Sequence, residues 1–424
     1  METKPEKKAR IGIISLGCPR NLVDSERILG RLENKGYKIS DEMRDADIGI
    51  INTCAFIEEA KQESIDVILE CLRLKKQGRL RRLIVNGCLA ERYGGQLIGN
   101  LKDIDAVVGC FGFNHSLNRS PLTPSHYAYV KISEGCINSC SYCVIPKIKG
   151  VFTSRDPKSI LKEITKLDKN GVKEVNLIGQ DIGLYGKGLK PAISLTKLLR
   201  EIIKATKNIK WLRLLYLHPG HIDAGLINLI AKEPKICKYV DLPIQHINDR
   251  ILKCMNRGTT RKGIISLIEK LRRRIRPLCL RTSIIVGFPG ETDSDFQELI
   301  DFIKGARFER LGAFIYSREE GTPAFSLPGQ IPDKIKKERF DILMTVQQEI
   351  SGEILRQSLG KTLQVLVDEL DPDDPKYYLA RTQDLAPEVD GIVYVKARKD
   401  VRAGTFLKVK ISDTFEYDLM AEPI

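Results

Sequence analysis

Between Gly135 and Cys143 the chain reads Gly-Cys-Ile-Asn-Ser-Cys-Ser-Tyr-Cys, which places Cys136, Cys140 and Cys143 on one tight loop at C-x3-C-x2-C spacing. Three cysteines so arranged can ligate three irons of a cubane 4Fe-4S cluster and leave the fourth iron open to another ligand. An open iron implies chemistry. A zinc site usually takes a fourth Cys or His close by, and no His follows at ligand spacing. The rest of the chain has to fold around a loop that holds a metal cluster.

The motif resembles that of the radical S-adenosylmethionine (SAM) superfamily. The resemblance implies that the amino and carboxylate groups of SAM chelate the open iron, and that the reduced cluster cleaves SAM to a 5'-deoxyadenosyl radical. It also implies that Tyr142, beside the third cysteine, packs on the SAM adenine.

Upstream of the loop, short apolar runs alternate with helical spacing. Ile11 to Leu16 precedes a helix over Asn21 to Lys35, Ile48 to Asn52 precedes one over Phe56 to Lys76, and Leu83 to Asn86 precedes one beginning near Ala90. This βαβ series predicts a doubly wound parallel sheet. Cys18, Cys54 and Cys88 each fall just after one of these strands, 36 and 34 residues apart. Loops at the carboxyl ends of neighbouring parallel strands converge, so the three could share a second metal site; they could equally be three small buried hydrophobes.

The words around them, Ser15-Leu16-Gly17-Cys18-Pro19-Arg20-Asn21, Asn52-Thr53-Cys54-Ala55-Phe56 and Asn86-Gly87-Cys88-Leu89-Ala90-Glu91, resemble the amino-terminal domain of the methylthiotransferases. In that family the three cysteines hold a second 4Fe-4S cluster, so Cys18, Cys54 and Cys88 join Cys136, Cys140 and Cys143 as expected catalytic ligands. Cys71, Cys110, Cys237, Cys254 and Cys279 match no family ligand and read as structural or incidental.

Length and composition fit this layout. A chain of 424 residues with 42% hydrophobic and 29% charged residues has room for about three domains with real cores. No apolar run approaches the roughly 20 residues of a bilayer span, and Met1 to Arg10 is a charged tail without a signal-peptide core, so no membrane and a cytoplasmic location are expected. Eleven cysteines without a secretion signal argue for metal ligation and reduced thiols. The formal charge of +14 suggests an anionic partner such as RNA or a ribosomal surface.

Asn114 to His126, rich in Pro, Ser, Thr and Asn, reads as a linker. After it come six apolar runs separated by helical patterns: Ala128 to Ser133, Glu174 to Gln180, Trp211 to Leu217, Tyr239 to Ile244, Leu280 to Val286 and Leu311 to Tyr316. Six β/α repeats with the cysteine loop after the first strand fit the partial (β/α)6 barrel of the radical SAM enzymes. Sites of such barrels gather at the carboxyl ends of strands. Gln180, Asp181, Tyr216, His218, Gln245 and His246 at these ends, and Arg281 within the fifth strand, are therefore site candidates, with Gln180, Gln245 and Arg281 taken beside Tyr142 as cofactor-binding. Gly287-Phe288-Pro289-Gly290-Glu291-Thr292 is a further phrase resembling the family, and physically a strand stop, a turn and a helix start.

Past a charged helix over Asp333 to Arg356, short alternating strands at Thr362 to Val367, Gly391 to Val395 and Phe406 to Ile411 describe a small all-β module. It resembles the OB-like TRAM barrel of many methylthiotransferases. The expected domains are thus residues 9–120, 121–356 and 357–424. Residues 360–424 hold nine Lys and Arg against thirteen Asp and Glu, a net −4 that leaves +18 for the rest of the chain. An acidic module suits a basic protein better than RNA, and Asp368, Glu369, Asp371, Asp373 and Asp374 concentrate the charge in one turn.

Ser15 to Glu26 and Ala386-Pro387-Glu388-Val389-Asp390-Gly391-Ile392-Val393-Tyr394 resemble the methylthiotransferase branch that modifies an aspartate of the twelfth protein of the small ribosomal subunit. The sister branch modifies adenosines of tRNA. Ile137, Asn138 and Ser139 depart from the pattern only at non-ligand positions. The resemblance implies hydrogen abstraction from the aspartate β-carbon, sulfur supplied through the second cluster, methyl donation by another SAM, a 3-methylthioaspartyl product, and an electron donor such as a flavodoxin or ferredoxin. A tRNA substrate, or a non-catalytic iron-sulfur factor binding RNA or assembling ribosomes, are the alternatives.

Overall fold

The apolar runs at Ile11, Ile48 and Leu83 become adjacent parallel strands. In the computed structural model, which describes residues 9–112, 118–398 and 401–424, β1 (Arg10–Ser15) leads into α1 (Pro19–Asn34) and an edge strand β2 (Lys38–Ser40). Then β3 (Ile48–Thr53), α2 (Glu58–Lys76), β4 (Arg82–Gly87), α3 (Cys88–Asn100) and β5 (Ala106–Val108) complete a parallel sheet of order β2-β1-β3-β4-β5. The two three-residue edge strands escape sequence reading because they are short and partly exposed, so no hydropathy alternation marks them. In this order the chain reverses direction across the sheet between β1 and β3, and that crevice is where doubly wound folds place ligands.

Six further strands form an open parallel sheet in the order β13-β12-β11-β10-β9-β6. β6 (Tyr127–Lys131) is followed by a two-residue ribbon, β7 (Ser133–Glu134) with β8 (Thr153–Ser154), that brackets the cysteine loop and a short α4 (Ile145–Lys149). Then come α5 (Pro157–Lys169), β9 (Glu174–Ile178), α6 (Leu195–Ala205), β10 (Trp211–Leu214), α7 (Ala224–Lys232), β11 (Ile236–Asp241), α8 (Asp249–Cys254), α9 (Arg261–Arg274), β12 (Cys279–Val286), α10 (Asp293–Ala306), β13 (Arg310–Ile315) and α11 (Asp333–Arg356). Each of the six expected runs holds one strand. The helices start where caps direct them: Asp156 accepts from Ser159 N ahead of α5, and Thr292 with Asp295 forms a reciprocal box ahead of α10. Val130, Val175, Leu212 and Leu280 on the outer face pack against the helices in the largest core.

The C-terminal residues close into a five-stranded barrel, β14-β15-β16-β18-β17, from β14 (Thr362–Leu370), β15 (Tyr377–Arg381), β16 (Val393–Lys396), β17 (Phe406–Thr414) and β18 (Leu419–Pro423). β15 and β18 are additions to the three expected strands. This barrel plugs the open one. Tyr127, Tyr129, Trp211 and Tyr239 on the inner face of the six-stranded sheet pack on Leu366 and Ala386 of the C-terminal barrel and on Val23 of α1. Buried ions fasten the plug: Arg381 Nη1 lies 2.6 Å from Glu174 Oε2, and Arg213 Nη1 donates to Gln383 O at 2.7 Å.

The expected linker is not free chain where the structure describes it; residues 114–117 lie outside the described residues. Ser120 N donates to Glu26 O of α1 at 3.0 Å, Arg119 pairs with Glu26 and, at 2.7 Å, with Glu163, and His126 Nε2 meets Asp368 Oδ1 at 2.7 Å. Polar composition mimics a linker, but here the polar groups are ion-pair partners that strap the three units together. Among the described residues no helix is long and apolar enough to cross a membrane.

Candidate active site

The C-x3-C-x2-C loop sits at the carboxyl end of the six-stranded sheet and is pinned from outside. Ser141 N and Oγ donate to Met255 O and Cys254 O at 2.9 and 2.7 Å, and Asn256 Nδ2 donates to Ser139 O at 2.7 Å. Cys136, Cys140 and Cys143 all line a cavity of about 350 Å³. Arg257 Nη1 points at Cys140 Sγ from 3.4 Å. Burial pushes the Cys143 thiol up to about 12, so as a free group it stays protonated and a metal is what would convert it to thiolate. Three soft donors on one wall of a cavity suit a cube of irons whose fourth corner faces the open space.

Polar atoms without protein partners surround that space. Gln180 donates from Nε2 to Glu134 at 3.0 Å but its buried Oε1 has no partner, and neither have Tyr316 Oη, His218 Nε2 and Arg257 Nε. His218 Nδ1 accepts from Gly220 N at 3.1 Å, and burial and the neighbouring Arg257 hold the ring well below its ordinary pKa. The neutral ring therefore carries its proton on Nε2. Two wall residues, Tyr216 and Gln245, hold left-handed backbone at φ 66° and 71°, a strain that non-glycine residues carry where a site is being shaped. Such orphaned groups are what a polar cofactor like SAM would satisfy.

Of the candidates read from the sequence, Tyr142, Gln180, Asp181, Tyr216, His218 and Gln245 meet at this cavity. Arg281 does not. It sits deeper in β12, paired with Asp241 at 3.2 Å and Asp390 at 3.5 Å, beside a second cavity of about 320 Å³ against the C-terminal barrel; it lies in the fifth strand as expected, but too far from the carboxyl end. His246 is fully buried, its Nδ1 accepting from Asn248 N at 3.0 Å and its Nε2 facing Glu291 at 3.6 Å. The Gly287–Thr292 phrase is a scaffold: Glu291 accepts from Gly287 N and pairs with Arg339 at 2.7 Å.

The words around Cys18, Cys54 and Cys88 are the hydrogen bonds that join their loops. Asn21 Nδ2 donates to Leu16 O and Thr53 O, Asn52 Nδ2 to Asn21 O, and Thr53 Oγ1 to Asn86 O at 2.6 Å. Gly17 and Gly87 have positive φ, and a Cβ on Gly17 would lie 2.6 Å from Cys54 Sγ, while one on Gly87 would lie 2.7 Å from Thr53 O. Only glycine lets the loops approach so closely. Burial raises Cys54 to about 12. For Cys18 burial is outweighed by the charge of Arg20 and the N–H of Asn21, so its thiol lies below the ordinary range. Cys88 is also lowered, first by a hydrogen bond with Cys110 and then by Lys149. Cys110, read as incidental from sequence, is thus the neighbour of a candidate ligand.

Between the two trios runs a buried chain of charge. Lys131 pairs with Asp24 and Glu134, and Lys149 Nζ reaches Asp24 Oδ2 and Asn21 Oδ1, each at 3.4 Å. Arg20 completes it: Nη1 donates to Gly179 O at 2.9 Å, its guanidinium lies 4.5 Å over the ring of Tyr216, and it lines the cavity of the first trio. Sequence reasoning missed Arg20, Lys149 and Cys110. A cation within two residues of Cys18 was the available signal for the first; nothing local marks the other two.

Three stretches match known families: residues 10–109 the uncharacterized protein family UPF0004, residues 130–303 the Radical SAM superfamily and residues 359–424 the TRAM domain. The chain is 46% identical over 97% of its length to ribosomal protein uS12 methylthiotransferase RimO of Clostridioides difficile, covering 98% of that protein. It is 45% identical over 98% of its length to the protein of the same name from Geobacter sulfurreducens, covering 99%. In fold it is similar to the radical SAM methyltransferase TsrM from Kitasatospora setae, solved with cobalamin and a 4Fe-4S cluster, with TM-score 0.54 and 16% identity over 83% of this chain and 79% of that one.

Proposed function

This chain belongs to the family of ribosomal protein uS12 methylthiotransferases, and from that premise we propose that it adds a methylthio group to the β-carbon of an aspartate residue of uS12. The observation that carries the reading is that Arg20, two residues after Cys18, and Phe56, two after Cys54, line the cavity that also holds Cys136, Cys140 and Cys143. A sulfur group handed from one domain to a substrate radical held by the other has a short path there.

The cofactors are two 4Fe-4S clusters and SAM, with Cys136, Cys140 and Cys143 holding one cluster and Cys18, Cys54 and Cys88 the other. Bound there, they supply a 5'-deoxyadenosyl radical, which an unactivated C–H bond requires, together with the sulfur and methyl groups. The chain's own residues orient and shield. Tyr142, packed against Ile251, Met255, Phe288 and Tyr316, offers a fixed ring for the adenine. Gln180 Oε1 and the Nε2–H of His218 offer an acceptor and a donor for polar atoms of SAM. Phe314 and Ile315 beside Phe56 and Ile57 give the cavity an apolar side, which protects a radical from quenching.

A flavodoxin or ferredoxin in the cytoplasm supplies the electrons, and the +18 outside the C-terminal module suits contact with ribosomal RNA when the substrate is taken on the subunit. The test is anaerobic reaction of the reconstituted protein with SAM, reductant and uS12, followed by peptide mass spectrometry, with tRNA nucleosides analysed in parallel. The expected product is methylthioaspartate in uS12; modified adenosine instead would assign the chain to tRNA. Cys54→Ala is expected to abolish methylthio transfer while SAM cleavage persists, because the radical-forming trio lies on the other domain.

A further inference from the structure

Arg20 is a cation without a carboxylate partner. Among the described residues no carboxylate lies within 4.0 Å of it, whereas Lys131, Lys149 and Arg281 each pair with one. Its contacts are Gly179 O, the thiol of Cys18 and the face of Tyr216. Arg20 is itself one of the residues that line the cavity. A half-buried guanidinium on a cavity wall with no carboxylate partner can take up an anion, and its parallel N–H groups match a carboxylate.

Resting on the uS12 reading above, we propose that Arg20 binds the side-chain carboxylate of the substrate aspartate, holding its β-carbon in the gap between the two cysteine trios. The carboxylate of the SAM that forms the radical and that of the substrate both have to be accommodated in this cavity. The SAM carboxylate belongs at the iron of the Cys136 trio, on the side where Arg257 faces Cys140. Arg20 stands against Cys18 and lines the same cavity, within reach of the substrate's carboxylate. The same contact makes Arg20 a specificity residue: asparagine, of equal shape but neutral, offers one acceptor oxygen and cannot take both arms of the fork.

The experiment measures anaerobic binding of labelled uS12, carrying either the native aspartate or an Asp→Asn change, to the iron-loaded full chain with SAM present. The wild type is expected to bind the aspartate form on the order of 10- to 100-fold more tightly, the range for a charge-assisted pair out of water. Arg20→Gln is expected to bind both forms alike at the weaker level, and Arg20→Lys to recover part of the preference. Irons per chain and SAM affinity by equilibrium dialysis are read on every variant. An undiminished preference in Arg20→Gln overturns the assignment; so does a preference lost only together with iron, which makes Arg20 a partner of the Cys18 site, or with SAM affinity, which makes it the SAM carboxylate's partner. A wild type that methylthiolates uS12 yet binds both forms equally overturns the Arg20 assignment alone. One that ignores uS12 and modifies tRNA overturns the substrate reading as well.

Discussion

The phenol of Tyr239, on the inner face of β11, donates a 2.7 Å hydrogen bond to Asp390 of the C-terminal barrel, whose other oxygen faces Arg281 at 3.5 Å. Ala386 N also donates to Asp390, at 2.8 Å, so one carboxylate ties the plug to two strands of the open sheet. Asp390→Ala removes the partner of three groups at once and is expected to cost about 3 kcal/mol in urea unfolding, against about 1 kcal/mol for Tyr239→Phe. An unchanged midpoint for Asp390→Ala would show that the plug is held by its apolar contacts alone.

The acidic turn of the C-terminal module divides into two parts. Asp368 is not available to a substrate, because Arg381 at 2.7 Å and His126 at 2.7 Å occupy it and hold its carboxyl below the usual range. Asp371, Asp373 and Asp374 lie at the surface, engaged only in local bonds such as Asp371 with Asp373 N. Changing these three to Asn is expected to raise the KM for a basic ribosomal protein roughly tenfold at low salt, an effect that shrinks as salt screens it. Asp368→Asn is expected to act on stability and leave KM alone. If the triple variant captures substrate as well as the wild type at low salt, the turn is only a solvated surface.

Iron counting separates the two trios. The reconstituted wild type is expected to hold about eight irons and Cys136→Ala/Cys140→Ala/Cys143→Ala about four, since each cube would rest on its own domain. A wild type that stops at four irons under conditions that fill the triple variant would make Cys18, Cys54 and Cys88 structural.

Glu163 predicts an acid limit to stability. Burial alone would raise its carboxyl, but Arg119, Arg155 and Arg27 draw it down to about 2; Arg119 lies at 2.7 Å and Arg27 at 3.5 Å. In the unfolded chain the group takes up its proton near pH 4.3. Its contribution is therefore complete above that pH and fades as pH falls toward 2, by up to about 3 kcal/mol. Glu163→Gln is expected to be less stable at neutral pH, because Arg27 and Arg155 lose their anion and Arg119 one of its two, and flatter across this acid window. Urea midpoints taken from pH 5 to pH 2.5 measure both; equal slopes would remove Glu163 from the acid response.

The sequence by itself determined the parts of this protein that are local or periodic. Alternating apolar runs and helical spacing located the three central strands of the first sheet, since burial on both faces forces long apolar words such as Ile48 to Thr53. The same held for all six strands of the second. Cysteine spacing named the loop at Cys136, and strand ends put Cys18, Cys54 and Cys88 on neighbouring loops of one parallel sheet, which left a shared site and three buried hydrophobes equally open.

Tertiary structure decided what depends on partners distant in the chain. Whether Arg281 faces the cavity or the plug turns on two residues of depth along β12 and on Asp390, more than a hundred positions away. Asp368 read as a charged surface group until Arg381 and His126 closed on it. Arg20, Lys149 and Cys110 acquire meaning only where α1, α4 and the segment after β5 meet the two cysteine sets. An ion's role is fixed by its counter-ion, and no local pattern in a sequence states which counter-ion folding will bring.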